Sequence, residues 1–228
     1  MAQVINTNIA SLNAQRNLSE TQTALAASIG RLSSGMRINS ASDDAAGLGI
    51  SENLKADLRS LAQAQRNAND GVSMSQVAEG AMNDMAGIVT RMRELSVQSA
   101  NQTLGATERG YIQTEFKELR NEINRISSVT EFNGQKLIDG SASTGLTFQV
   151  GKENTANDRL SMSITKLNSS TLGSTLKVGA ASLSTVTNAR AAISVFDKAI
   201  EQLSTARSKV GAVQNRMVVT ISSLSVAQ

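Results

Sequence analysis

Apolar residues recur at alternating steps of three and four along four segments of the chain, the pattern of helices that pack side by side. From these stripes and the turn residues between them we predict helices over residues about 43–100, 107–129 and 185–228, preceded by a further helix within residues 1–40. The second segment carries the longest run: Met74, Ala78, Ala81, Met85, Ile88, Met92, Leu95.

The first helix is predicted to present one apolar face that ends at Gly35, a residue suited to the position just after a helix. The face comprises Leu18, Gln22, Leu25, Ile29 and Leu32, with Ile5, Ile9 and Leu12 out of phase upstream. No partner for it is evident within the chain, and an isolated helix of about 30 residues gains little stability alone. We therefore expect it to pack on a neighbouring subunit or on a segment beyond Gln228.

The third and fourth helices repeat the pattern, with Ile112, Phe116 and Ile126 on one and a stripe from Ala189 to Leu224 on the other. The fourth stripe still runs where the sequence stops, which we interpret as a cut end. Three glycines of the second helix each weaken it by about 1 kcal/mol relative to alanine. We expect them to allow close approach of neighbouring backbones: Gly71, Gly80, Gly87.

Between the third and fourth helices the apolar period changes to two, which is typical of strands. Leu146 and Phe148 alternate with polar residues, as do Leu160 and Met162, and Asn133-Gly134 indicates a type I′ hairpin turn. These signals predict a small β region over residues 131–180.

Element lengths and fold class follow from this pattern. A helix over residues 43–100 is roughly 85 Å long at about 1.5 Å per residue, whereas a compact chain of this size has a diameter near about 45 Å. We therefore predict a mainly α fold, an elongated antiparallel coiled-coil bundle with a small β-hairpin region. Its predicted parts are residues 1–40 and residues 41–228.

Composition removes several classes of chemistry. The chain has no cysteine and no histidine, so a zinc site, a disulfide and a Cys or His nucleophile are excluded. The 22 basic and 19 acidic residues are interleaved, which does not favour nucleic-acid binding, and no apolar run has the length of a membrane span. Asp43 and Asp44 are interpreted as helix caps rather than as an acid–base pair. We predict neither enzymatic activity nor a cofactor.

Five segments, in this order, together resemble bacterial flagellin: MAQVINTNIASLNAQRNL, LSSGMRINSASDDAAGLGIS, TRMRELSVQSANQT, EFNGQKLIDG and KVGAVQNRM. The resemblance implies an extracellular structural subunit that is exported by the flagellar type III apparatus and polymerises with copies of itself into the motility filament. It also implies contacts with the filament cap and the hook-junction proteins. Residues 1–40 would form the inner tube and residues 41–228 the wall.

The family's last helix would lie beyond Gln228, and with it the docking site of the export chaperone. We therefore expect the chain of 228 residues to polymerise poorly. Alternative functions are a hook–filament junction protein, which shares the terminal helices, and a secreted coiled-coil adhesin.

The resemblance further implies recognition of the monomer by the host Toll-like receptor 5, because the segment TRMRELSVQ resembles that receptor's epitope. The residues carried over are Arg91 and Leu95 on the second helix and Glu115 on the third. Spacing alone also allows another interpretation, in which Leu95 is a core residue and Arg91 and Glu115 form an ordinary surface ion pair worth less than about 1 kcal/mol.

Overall fold

The computed structural model describes residues 8–173 and 176–228. The mainly α architecture with small antiparallel hairpins is confirmed, and the helix bounds agree with the predicted ones within three residues. The elements, in chain order, are α1 (Ile9–Ser34), α2 (Ala45–Ser99), α3 (Ala106–Val129), β1 (Glu131–Phe132), β2 (Gln135–Lys136), β3 (Leu146–Gln149), β4 (Arg159–Met162) and α4 (Val186–Ala227).

The chain divides into two compact units, the first ending at Leu58 and the second comprising Arg59–Gln228, so that the division falls inside α2. The first unit contains α1 and the start of α2. The second contains the rest of α2, both hairpins, α3 and α4. The functional division into residues 1–40 and 41–228 stays a prediction.

Ion pairs between helices of the second unit show their relative direction. Arg93 of α2 pairs with Asp197 of α4, whereas Glu79, earlier in α2, lies 3.9 Å from Arg207, later in α4. The two helices are therefore antiparallel. The short turn between α2 and α3 makes these two helices antiparallel as well. Arg91 of α2 contacts Glu115 of α3.

The core of the second unit is aliphatic and rich in methionine, with a single ring contact between Phe116 and Phe196 among the described residues. The predicted stripe of α2 needs a correction, because Ala81 and Ile88 are only partly buried while Met82 and Val89 are fully buried. A helix that packs against two neighbours buries a wider face than a single three-four stripe. Both the stripe and the positions next to it therefore belong to the core.

Close approach at glycine is confirmed for Gly71 and wrong for Gly80 and Gly87. A Cβ placed on Gly71 would lie 2.7 Å from the Met217 thioether and 3.2 Å from the Phe148 ring. The same atom on Gly80 or Gly87 would meet nothing within 4 Å, because both residues face outward.

Two separate hairpins form the β region. Asn133 (φ 49°) and Gly134 (φ 78°) form the turn between β1 and β2, and the positive φ at both confirms the type I′ prediction. The second hairpin pairs Leu146 with Met162. Its Leu160 joins a small cluster with Ala68, Val150 and Met217, so this hairpin packs over α2 and α4.

The β structure ends earlier than the predicted residue 180. After Met162 the described chain makes turns, a short 3-10 helix at Val178–Ala180 and one isolated bridge between Gly173 and Lys177. Consecutive Ser, Thr and Gly residues favour turns because their side chains bond the local backbone. The predicted position of Ile5 lies outside the described residues.

Candidate interaction surfaces

The first surface is the apolar stripe of α1. The helix begins after Asn8, whose side chain accepts a hydrogen bond from the Ser11 amide at 3.1 Å, and ends at Gly35 with φ 67°. No residue between Ile9 and Ser34 is buried. Leu25 is 58% exposed and Leu32 85% exposed. The described chain leaves this stripe exposed, and the packing of α1 on a neighbouring subunit or on a segment beyond Gln228 stays a prediction.

The segment between α1 and α2 is organised by two carboxylates. Asp43 accepts hydrogen bonds from the Asn39 amide and from the amide and hydroxyl of Ser40, and it pairs with Arg31 at 3.2 Å. These bonds, led by the Ser40 hydroxyl, lower the pKa of Asp43. Asp44 accepts from the Gly47 amide at 2.8 Å, which caps the start of α2. The predicted capping role is thus confirmed for Asp44, whereas Asp43 bonds the preceding loop and caps no helix.

The second surface lies where α2 and α3 face each other on the exterior. The Arg91 guanidinium donates to Glu115 at 2.9 Å and to Glu94 at 3.1 Å, and about half of the Arg91 and Glu115 side-chain surface is exposed. The hydrogen bond to Glu115, followed by that to Glu94, raises the pKa of Arg91. The structure therefore brings two of the three predicted receptor residues together on an accessible surface.

Leu95 does not lie on that surface. It is 1% exposed and packs in the core of the second unit. One helical turn separates it from Arg91, but i and i+4 differ by about 40° around the axis, which is enough to point Leu95 inward. The prediction that its side chain is offered beside Arg91 is corrected accordingly, and the alternative core interpretation describes this fold.

Two features of this region were not predicted. Arg109 is buried and donates to main-chain carbonyl groups at the end of α2, including Ser99 at 3.1 Å. Arg93 pairs with Asp197 at 2.6 Å. Neither has a sequence signal, because each contact joins positions whose proximity depends on the tertiary register of the helices.

Two absences apply to residues 8–173 and 176–228. No group of three or more acidic side chains is placed to hold a metal ion. No helix there combines the length and hydrophobicity that crossing a bilayer requires.

Comparison with known families matches two regions of the chain. The profile described as the bacterial flagellin N-terminal helical region matches residues 5–143. The profile of the bacterial flagellin C-terminal helical region matches residues 193–228. Together they contain α1, both candidate surfaces and most of α4.

Among similar proteins, a flagellin of Halalkalibacterium halodurans is 41% identical over 221 residues, which are 97% of this chain and 79% of that protein. A flagellin of Salmonella typhimurium is 49% identical over 175 residues, 76% of this chain. The chain spans about a third (34%) of that relative's length.

Solved structures show the same fold. The Bacillus cereus flagellin aligns with a TM-score of 0.59 and 26% identity, over 70% of this chain and 88% of that one. A Vibrio parahaemolyticus protein, provisionally assigned as flagellar hook-associated, aligns with a TM-score of 0.67 at 18% identity, over 82% of this chain and 95% of its own. This chain belongs to the bacterial flagellin family, whose members are structural subunits of the extracellular flagellar filament.

Proposed function

We propose that the chain is exported through the flagellar type III apparatus and joins copies of itself through the apolar stripe of α1, as the inner-tube part of a filament subunit. The single observation that carries this proposal is the exposure of that stripe, since no residue between Ile9 and Ser34 is buried. Large apolar side chains in one continuous row are typical of a surface that another molecule covers. In this proposal residues 1–40 act in the inner tube and residues 41–228 in the wall.

The energetics favour assembly over a lone helix. Burying a leucine or isoleucine side chain contributes about 1.5–3 kcal/mol, and the stripe offers four of them: Leu18, Leu25, Ile29, Leu32. In a helical array each subunit makes the same contact with several neighbours, so these contributions recur along the filament. Contacts with the filament cap and hook-junction proteins belong to the same proposal.

The test of assembly compares two substitutions that introduce the same charge on opposite faces of α1. Leu25 lies in the stripe and Ala27 faces away from it, and both are exposed. Each is tested in the chain of 228 residues and in a chain extended past Gln228 by the corresponding C-terminal residues of the Halalkalibacterium halodurans relative. The readouts are sedimentation and negative-stain microscopy.

We expect the extended chain to form filaments, Leu25→Glu to abolish them and Ala27→Glu to leave them intact. Equal effects of the two substitutions would contradict a role for the stripe. Appearance of the extended chain in the culture medium should require an intact flagellar export apparatus, and secretion without that apparatus would contradict the proposed route.

The alternative, a hook–filament junction protein, predicts a different copy number. A strain that lacks its own filament subunit and carries the extended chain should grow filaments many subunits long. A short collar at the end of the hook, with no filament beyond it, would favour the junction protein. The fold resemblance to the provisionally hook-associated structure does not separate these functions.

We further propose that the surface around Arg91 and Glu115 is recognised by the host Toll-like receptor 5. Support comes from the exposure of both side chains and from their contact across α2 and α3. A guanidinium that remains charged offers several donors in one plane to an acidic or carbonyl-lined partner. In this proposal Leu95 has a structural role: its buried side chain anchors α2 in the core, beneath the surface around Arg91 and Glu115.

Two interhelical ion pairs of the same chemical type allow a matched test. Arg91→Ala with Glu115→Ala removes the proposed contact, whereas Arg93→Ala with Asp197→Ala removes the ion pair between α2 and α4. In reporter cells that express the receptor, the first pair should reduce the response to monomers at least about tenfold and the second should leave it unchanged, with equal helicity by circular dichroism. Unchanged signalling after the first pair would remove the assignment.

A further inference from the structure

The methionines of this chain differ sharply in burial. Met36, in the segment between α1 and α2, is 50% exposed. The other methionines of residues 8–173 and 176–228 are at most 7% exposed: Met74, Met82, Met85, Met92, Met162, Met217. The thioether sulfur is the atom of methionine that oxidants attack, and its exposure to solvent governs how fast they reach it. Within the described chain, Met36 is therefore the methionine that an oxidant in solution reaches directly.

The exposure of Met36 belongs to an ordered turn. Gly35 adopts φ 67° and directs the chain out of α1. The Met36 amide donates a hydrogen bond to the Ser34 hydroxyl at 3.2 Å. The residues that follow are held by the hydrogen bonds to Asp43 described above. The side chain of Met36 thus projects from a backbone that is fixed on both sides.

Met36 extends the apolar stripe of α1 at its C-terminal end. It follows Leu32 by four residues, and the two line one shallow groove together with Ser28. Leu32 is 85% exposed, so both apolar residues face solvent. A molecule that covers this end of the stripe therefore covers Met36 as well.

Oxidation makes this position polar while adding only one atom. Hydrogen peroxide transfers one oxygen atom to the sulfur: the O–O bond breaks, an S–O bond forms, the sulfur loses two electrons, and the second peroxide oxygen leaves as water. The product is methionine sulfoxide. Its oxygen is a hydrogen-bond acceptor, and burying such a group without a donor is unfavourable.

The buried methionines are protected by packing. Five of them lie in the main core of the second unit, and Met217 lies in the small cluster beside Ala68. An oxidant reaches these sulfur atoms only when the unit opens, which costs free energy. Selective reaction at Met36 is therefore expected while the chain stays folded.

We propose that Met36 is an oxidant-sensitive modification site, and that its sulfoxide weakens the contact that another copy of the chain makes with the end of the α1 stripe. The second half of this proposal rests on the proposed function, in which that stripe joins subunits. The modification acts on subunits before assembly, because assembly covers Met36. It is reversible, since methionine sulfoxide reductases restore the thioether.

The first test follows the gain of oxygen at each methionine of the 228-residue chain in dilute hydrogen peroxide, by fragment-ion mass spectrometry of its peptides. Met36 should react at least about tenfold faster than any of the six buried methionines. In urea, where the fold is lost, the rates should agree within about threefold. Equal rates in the folded chain would overturn the proposal. An advantage of Met36 that persists in urea would overturn it too, because burial would then not be the cause.

The second test measures assembly of the chain extended past Gln228. Peroxide should raise the concentration of subunits left in the supernatant after sedimentation at least about fivefold, because a polar oxygen must be buried, and a methionine sulfoxide reductase should reverse this. Met36→Leu keeps an apolar side chain but has no sulfur, so its assembly should be insensitive to peroxide. An equal loss of assembly in Met36→Leu and in the parent chain would contradict the assigned role of Met36.

Two glutamine variants test polarity at this position without an oxidant. Met36→Gln places a polar group where the sulfoxide would lie, whereas Ala27→Gln places the same group on the face of α1 away from the stripe. Only Met36→Gln should raise the supernatant concentration, again at least about fivefold, and equal effects would count against the proposal.

The variant Leu25→Glu separates the two proposals. Filaments that persist in Leu25→Glu would mean that the proposed function fails, whatever the oxidation rates. Filaments that are lost in Leu25→Glu, together with equal sensitivity of Met36→Leu and the parent chain to peroxide, would mean that only the role of Met36 fails.

Discussion

The Nε of Arg109, near the start of α3, donates a hydrogen bond to the main-chain carbonyl oxygen of Ser99, the last residue of α2, at 3.1 Å. The same guanidinium donates to Asn101 at 3.0 Å and to Leu104 at 2.6 Å. Carbonyl groups at the end of a helix have no partner inside the helix and must find one elsewhere. One buried side chain therefore completes the end of α2 and closes the turn into α3.

Replacing Arg109 should destabilise the second unit strongly. Arg109→Met removes all of these donors and leaves the Ser99 carbonyl without a partner, at a cost of about 2–4 kcal/mol. Arg109→Lys retains the charge but not the planar fork and should cost about 1–2 kcal/mol. Urea denaturation followed by circular dichroism measures both. Arg125→Met, which removes an exposed ion pair with Glu122, serves as the control. It should change the free energy of unfolding by less than about 1 kcal/mol. A loss as large as that for Arg109→Met would contradict this account.

The glycines of α2 should respond to alanine in opposite directions. Gly80→Ala and Gly87→Ala should each raise the free energy of unfolding by about 0.5–1 kcal/mol, because the added methyl group meets open space and alanine favours the helix. Gly71→Ala should lower it by about 1 kcal/mol, because the methyl group displaces the Met217 thioether and the Phe148 ring. Thermal denaturation of the three variants provides the comparison. A stabilised Gly71→Ala variant would show that Met217 and Phe148 can move aside without a loss of stability.

The edge-to-face contact between Phe116 and Phe196, with centroids 5.8 Å apart, should be worth more than the burial of the two rings. A double-mutant cycle with leucine at each position is expected to give a coupling energy of about 0.5–1.5 kcal/mol. The same cycle for Phe116 with Phe148 should be additive within about 0.5 kcal/mol. Equal coupling in the two cycles would mean that the ring geometry adds nothing.

Acid should loosen the segment between α1 and α2 only when the pH falls below 3.8, the ordinary pKa of an aspartate. The hydrogen bonds to Asp43 lower its pKa, so the carboxylate stabilises the folded segment above the ordinary value of 3.8 and loses that effect as the pH falls through the lowered pKa. No change is expected between pH 5 and 8. An NMR titration of the Asn39 and Ser40 amides should therefore show a midpoint below 3.8. A midpoint at or above that value would contradict the hydrogen-bond assignment.

Local signals were sufficient for the elements. Proline is absent, apolar steps of three and four mark each helix, and Gly35 and Asn133-Gly134 stand where a left-handed backbone is needed. The helix ends and the hairpin turn therefore followed directly from the sequence. The sequence also showed no evident partner for the apolar face of α1, and that face is exposed in the described structure.

Tertiary packing decided which side chains are accessible. Leu95 is buried although it lies one turn from the exposed Arg91, and Gly71 touches Met217 whereas Gly80 and Gly87 face outward. The sequence alone determined where helices form and which broad face of each is apolar, because those depend on neighbours three or four residues away. Only the tertiary structure determined the lateral register of the helices. A rotation of some tens of degrees about an axis leaves the sequence pattern intact, yet it moves a residue between core and surface.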